Sequence, residues 1–471
     1  MPSGLTDDEE KAIKSAVDAG TTYRRKVPEL PIRPSVSTDD AVARFRQPLN
    51  EHGLPADAVI DEMVRNSDGA LNQMSSGNFY GYVLGGSYPV GVAADILVSA
   101  WGQNAGSAFE TPAITGMERT VCDWVIDLLG LPGECGAGIV TGATVANTVG
   151  IMSARNALLA AQGWDVEQQG LFGAPNVPVL ISDAAHSAPF AALRYAGFGA
   201  GRVTRVQVDS EGRVLPEALR SAVEECDNPP MVILQAGQIN SGAFDPFEEL
   251  IPIIKAKNGW VHVDGAFGLW LSAVPDLADR LKDVQRADSW AIDLHKWLNA
   301  PFDAGMVIVR NREPLVASMS ARGAYLPQTT DHWEPTDSTP ELSRRARGVP
   351  SYAILKHLGR SGVIELVSRH CRLARYIADE LSKVSGLQIL NDVVSNQLAL
   401  ACGEGEEGDR LTKVVLEAVQ GNGRVYPTHG EWRGRTIIRI SVINYATTDE
   451  HAKTLIREIT QAWKSVQAEI E

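Results

Sequence analysis

The sequence predicts an α/β domain built on a mostly parallel sheet, with a helical segment before it and a small α+β domain after it. Three observations lead there. Between about residues 135 and 310, short apolar runs alternate with amphipathic helical stretches. After about 350, a long helical pattern gives way to shorter strands and a final helix. Before about 75, helical spacing is clear, but there is too little alternating apolar pattern for a sheet. The expected divisions are residues 1–75, 76–350 and 351–471.

The first segment opens with the acidic "MPSGLTDDEEKAIKSAVDAG", which has no apolar run of the kind a signal peptide carries. "LPADAVIDEMVRNSDGALNQ" has helical spacing, and the proline-dotted "KVPELPIRPSVS" reads as an extended connector. A segment this thin needs another surface to pack on, and a partner subunit is the expected one.

In the central region the strand candidates are "VPVLISD", "RVTRVQVD", "MVILQAG", "WVHVDGA", "SWAIDL" and "GMVIVR". Between them, "LPEALRSAVEEC" and "PFEELIPIIKAKNG" show the periodicity of surface helices. In parallel sheets ligands bind beyond the carboxyl ends of the strands, and the polar residues of these runs sit at those ends. Further on, "SGVIELVSRHCRLARYIADELSKV" predicts a long helix, followed by strands at "LQIL", "QLALAC" and "TIIRISVI". A last helix covers "DEHAKTLIREITQAWKSVQAEI".

Bulk composition narrows the function. A net charge of −15 argues against nucleic acid or an anionic membrane surface as partner, since both attract basic patches. No stretch approaches the roughly 18 apolar residues of a membrane-spanning helix. Five cysteines lie far apart without a CxxC pair, which fits reduced thiols in a cytoplasmic protein better than a disulfide framework.

Four places carry candidate chemistry. "GAGIVTGA" (Gly136, Gly138, Gly142) has the look of a nicotinamide-binding loop, but a helix end and turn, "LLGLPGEC", precede it and the region about 20 residues beyond, "LLAAQGWD", is helical and apolar. The stretch "TGATVANTVGIMSARNALLA" works better as a phosphate cup: Gly142, Ala143 and Thr144 begin an amphipathic helix whose first N–H groups can meet an anion. In "WVHVDGAFGLW", Asp264 ends an apolar strand and needs a cationic partner, while His262 and Asp264 lack a nearby third metal ligand. His186 follows a strand end in "LISDAAHSA", and Lys296 stands between two apolar runs in "ADSWAIDLHKWLNAPFDAGMVIVR". A buried lysine loses its charge readily and can act as a nucleophile toward carbonyls.

Taken together, the phosphate cup, a histidine, a carboxylate and a lysine follow the strands of one sheet in the order 142–144, 186, 264, 296. With "TGATVAN", "SDAAHSA", "VHVDGAFG", "DLHK" and the loop "LQAGQINSGAFDPF", the chain resembles the group II pyridoxal-phosphate-dependent amino acid decarboxylases from about residue 75 to its last helix. That family includes the aromatic amino acid, tyrosine, glutamate and cysteine sulfinate decarboxylases. The resemblance implies the type I pyridoxal-phosphate fold, a homodimer, and release of CO2 from an L-amino acid to leave an amine. It also implies roles. Lys296 carries the cofactor, His186 stacks on its ring, and Asp264 pairs with the ring nitrogen, which lowers the aspartate's pKa. Ala266 lies under the ring, Gly142, Ala143 and Thr144, with His295, serve the phosphate end, and Asp293 of the "DLHK" signature belongs to the cofactor-binding set. Asn240 lies in the matching cofactor loop, and Phe79, Tyr80 and Tyr82 lie on the stretch that lines the substrate pocket.

Two departures stand out. The His-Pro pair of relatives is missing from "SSGNFYGYV", and the tyrosine that protonates Cα has no counterpart at its usual distance before Arg344 and Arg345. Tyr325 comes earlier and His332 stands nearer, so these two are the candidate proton donors. The alternative outcome is an aldehyde, or cleavage of a different bond. Arg344, Arg345 and Arg347 read either as cations for an acidic substrate such as aspartate or glutamate or, more commonly, as a solvated run at a helix start.

Overall fold

The computed structural model describes residues 4–320 and 334–470. Three helices open the chain: α1 (Asp7–Lys26), α2 (Thr38–Phe45) and α3 (Ala56–Ser67). Thr6 and Glu9 form a capping box at the start of α1, so this helix is specified locally. None of the three helices has a buried residue, although α1 packs on α3.

Helices α4 (Pro89–Trp101) and α5 (Pro112–Leu128) lead to a seven-stranded sheet. Its strands are β1 (Gly136–Val140), β2 (Val179–Ser182), β3 (Thr204–Val206), β4 (Met231–Gln235), β5 (Trp260–Asp264), β6 (Ser289–Asp293) and β7 (Gly305–Val309). The order across the sheet is β1-β7-β6-β5-β4-β2-β3. β7 runs antiparallel to both its neighbours, and the remaining pairings are parallel. Both faces are covered. Val232 and Leu234 of β4 join one apolar layer, while Met231 and Ile233 join the other, the period of two that a strand imposes. Burial on both sides explains why these strands read as unbroken apolar runs.

β1 lies inside the glycine motif: "GAGIV" is itself the strand, and the cup follows it at Thr141–Thr144. Helix α6 (Ala143–Ala160) leaves the cup and crosses the sheet over β5, β6 and β7. A Cβ on Gly305 would stand 2.5 Å from the Cα of Gly142, so β7 can pass beneath the cup only with glycine there.

The helix Gly348–Leu381 carries the chain from the first core to a second one, bending at Gly359, whose φ of 61° lies in the left-handed region. The second core backs a four-stranded sheet of order β10-β11-β9-β8. These strands are β8 (Leu387–Ile389), β9 (Gln397–Cys402), β10 (Thr428–Trp432) and β11 (Arg435–Ser441). β10 escaped the sequence reading because its residues, "THGEW", show polar positions on both sides of one glycine. Among the described residues, no helix is long and apolar enough to cross a membrane.

Candidate active site

The carboxyl ends of β4, β5 and β6 and the first turn of α6 enclose a cavity of about 330 Å3. Gly142, Ala143, Thr144, His186, Asp264, Ala266, Asp293, His295 and Lys296, all singled out from the sequence, line it. Thr141, Gln235 and Phe267 line it too.

The cup is the start of an 18-residue helix that no side chain of its own caps. An uncapped helix N-terminus presents N–H donors and a partial positive charge of about half a unit, which suits a phosphate. One of those donors is taken: Ala143 N–H gives a 2.6 Å bond to Asp293 Oδ1. The other oxygen, Asp293 Oδ2, lies 3.0 Å from Lys296 Nζ. His295 Nδ1 accepts from Ala304 N–H at 3.2 Å, and its Nε2 stands 3.5 Å from Asp293 Oδ1. Burial depresses the His295 pKa, so the ring is neutral at pH 7.

The loop after Lys296 is held by Asn299, a fully buried residue the sequence reading passed over. Its Oδ1 accepts from Gly86 N–H at 2.7 Å and Tyr445 N–H at 3.0 Å, and its Nδ2 donates to the carbonyls of Trp297 and Ile443. One amide thus joins three distant stretches of chain around the lysine.

His186 caps the helix Ser187–Tyr195 by accepting from Ala188 N–H through Nδ1. That bond puts the proton of the neutral ring on Nε2. Burial lowers the His186 pKa, and the Lys296 and Arg439 charges lower it further, while Asp264 opposes them.

Burial raises the Asp264 pKa, with the His186 and Lys296 charges pulling the other way. The lowering expected from the ion pair is that of a carboxylate facing a protonated ring nitrogen. Asp264 forms no ion pair among the described residues, and Ala266 N–H at 3.2 Å is its one side-chain hydrogen bond. A buried carboxylate so lightly held is suited to a cationic ring N–H. With the uncapped helix and the adjacent amine, these residues fit pyridoxal phosphate.

Other candidates lie elsewhere. Phe79 stacks on Tyr426 with ring centroids 5.5 Å apart. Tyr80 is fully buried in the second core, and its backbone bonds to Tyr426 and Ser441. Neither lines the cavity within this chain, and the FY pair extends the small sheet's hydrogen bonding. Tyr82 is half exposed beside Tyr426 and does not line the cavity. Asn240 also turns away, its Nδ2 donating to Glu431 O at 3.1 Å. Both ring nitrogens of His262 are engaged, Nδ1 with Ser289 and Nε2 with Asn147 at 2.8 Å each, so it is a structural post beneath α6. Tyr325 and His332 lie outside the described residues.

Arg344 is buried against Glu118, Arg345 pairs with Asp95, and Arg347 pairs with Asp303. Another cation escaped the sequence reading. Arg439 on β11 is mostly buried, its Nε has no partner among the described residues, and its charge is felt by His186. An isolated arginine in a strand carries no motif.

A seven-stranded α/β sheet with a lysine after β6, a carboxylate ending β5 and an open helix N-terminus defines a pyridoxal-phosphate enzyme of fold type I. The Pyridoxal-dependent decarboxylase conserved domain matches residues 40–402, and the chain belongs to that family. Tryptophan decarboxylase 1 of Oryza sativa subsp. japonica is 26% identical, over 96% of this chain and 94% of its own. Phenylacetaldehyde synthase of Arabidopsis thaliana is 24% identical, over 96% and 94%. The crystal structure of Oryza sativa TDC with PLP and tryptamine superposes with a TM-score of 0.91 at 22% identity, covering 99% of each chain. The chain is therefore a pyridoxal-phosphate-dependent carboxy-lyase that decarboxylates an L-amino acid to its amine.

Proposed function

We propose that the substrate is an aromatic L-amino acid and that the enzyme acts as a cytoplasmic homodimer. The observation that carries the substrate reading is the state of the three arginines after residue 343. Each already has a carboxylate partner, so none is left over for the side chain of aspartate or glutamate. The aromatic relatives point the same way.

In this reading Lys296 binds the cofactor through its amine, and the first turn of α6, with Thr144 and His295, holds the phosphate end. Asp264 keeps a proton on the ring nitrogen, Ala266 leaves room beneath the ring, and the neutral His186 imidazole covers its other face. The bound cofactor supplies an electron sink for the pair left at Cα when CO2 departs. Arg439 receives the substrate carboxylate and orients it, because the bond that breaks must stand perpendicular to the ring. Tyr325 or His332 returns a proton to Cα. A second reading, release of an aldehyde, is favoured by the early position of Tyr325, the loop's one tyrosine.

Support for the dimer comes from the first segment. Ile13, Val17, Val42, Phe45, Val59 and Met63 are exposed on helices that bury nothing within the chain. Apolar surface of that extent calls for a partner. With it goes a division into a clasp (1–75), a cofactor domain (76–350) and a small domain (351–471).

The test is a screen of aromatic and acidic L-amino acids with the purified, cofactor-loaded enzyme, measuring CO2, amine and aldehyde separately. CO2 and amine in equal amounts from an aromatic substrate, abolished in Lys296→Ala, are expected. Aldehyde in place of amine would establish the second reading, and turnover of glutamate or aspartate alone would overturn the substrate class.

A further inference from the structure

One buried donor in the cavity has no task in the chemistry above. Gln235 ends β4, is 4% exposed and lines the cavity, yet its side-chain Nε2 meets no acceptor among the described residues. Buried amide N–H groups are rarely left unpaired, and an unpaired one on a residue that lines a binding cavity is placed for a ligand to supply the acceptor. The backbone that carries it is fixed. Its N–H gives a 2.7 Å bond to Asp245 Oδ2, and Asp245 Oδ1 accepts from Val214 N–H at 2.8 Å. Asp245 is itself buried, so the end of β4 is held in place at the cavity.

The sheet order says which part of the cofactor this donor meets. Gln235 stands opposite Asp264 in the β4–β5 register. β6, which leads to Lys296, lies on the far side of β5, and β1, which leads into the cup, lies further still. Pyridoxal phosphate has four groups that accept hydrogen bonds or bind the protein. Its phosphate, on C5, belongs at the helix terminus, its ring nitrogen at Asp264, and its aldehyde carbon at Lys296. The ring edge opposite C5 carries a methyl on C2 and the phenolic oxygen on C3. β4 lies on that edge.

We propose that Gln235 Nε2 donates a hydrogen bond to the phenolic oxygen of the bound cofactor and is a cofactor-binding residue that tunes it. The inference rests on the cofactor assignment above. A donor at that oxygen favours its ionised form, so Gln235 governs both how tightly the cofactor is held and which absorbing form predominates.

The experiment compares the wild-type holoenzyme with Gln235→Met, close in shape but without the donor, and with Gln235→Glu, which puts a carboxylate against the oxygen. Two readouts are taken: the dissociation constant of pyridoxal phosphate by equilibrium dialysis, and the near-ultraviolet and visible spectrum from pH 6 to 9. Loss of one hydrogen bond predicts roughly tenfold weaker binding for Gln235→Met. Its absorbance should also move toward the shorter-wavelength form, and Gln235→Glu should lose more on both counts. Binding within twofold of wild type and an unchanged spectrum in a folded variant would overturn the proposal. Should Gln235→Met not fold, Gln235→Glu decides by the same two readouts. A wild-type protein that takes up no cofactor would overturn the cofactor assignment itself, and this inference with it.

Discussion

Asp293 joins the two working ends of the cavity: one carboxylate oxygen lies 3.0 Å from Lys296 Nζ, and the other accepts the first N–H of α6 at 2.6 Å. Both contacts are charge-assisted, worth about 1.5–3 kcal/mol each in a buried setting. Asp293→Ala removes both. Its kcat/KM should fall on the order of 100-fold, with Asp293→Asn between it and wild type. Steady-state kinetics on loaded enzyme check this, and a loss below threefold in the alanine variant would sink the linking role.

Asp264 is poised for a cationic partner by being buried with a single backbone hydrogen bond. Asp264→Asn keeps the shape but removes the charge that holds a proton on the ring nitrogen. The expected loss in kcat is about 10²–10³-fold, the size of one preorganised electrostatic contact. Retained Lys296-bound cofactor, read by absorbance, would show that the loss is in chemistry rather than loading.

Arg344 and Glu118 form an ion pair with side chains 0% and 1% exposed. Burial raises the Glu118 pKa against the pull of Arg344, so the pair stands near the limit of what desolvation allows. Removing one partner, as in Arg344→Met, should destabilise the fold by about 3–5 kcal/mol. The double variant with Glu118→Met should recover most of that. Urea denaturation of the three proteins checks it, and simple additivity would argue against coupling.

Stability should fall in acid through two buried histidines. Burial pushes the pKa of His262 and of His370 down to about 3. The ordinary value is about 6.5. Each folded-state pKa lies below the unfolded one, so the stabilisation is complete above about pH 6.5 and is lost as pH falls toward 3. The slope approaches about 1.4 kcal/mol per pH unit for each histidine. Urea midpoints at pH 7, 6 and 5 should drop accordingly, and His370→Gln should show a shallower slope than wild type.

Much of this was readable along the chain. Lys296, Asp264, His186 and the cup each sit where a strand ends or a helix begins, and a parallel sheet gathers its carboxyl ends on one side. Local pattern therefore settled the class of fold and four of the groups around the cavity. Local pattern failed where a residue's meaning depends on a distant partner. That Tyr426 stacks on Phe79 and the second core encloses Tyr80 is not legible in their own stretch. Asn240 lies in the expected loop, but its side chain follows Glu431.

The sequence by itself determined the sheet, through its apolar periodicity, and its resemblance to a known family implied the lysine's role and the cofactor. Only the tertiary structure decided which polar groups share the cavity. Gln235 lines the cavity at the end of β4, opposite Asp264 of β5, whereas Arg344, Arg345 and Arg347 are taken up by Glu118, Asp95 and Asp303. Those partners are far apart in sequence, and pairings of that range are set by how the sheet and its helices pack.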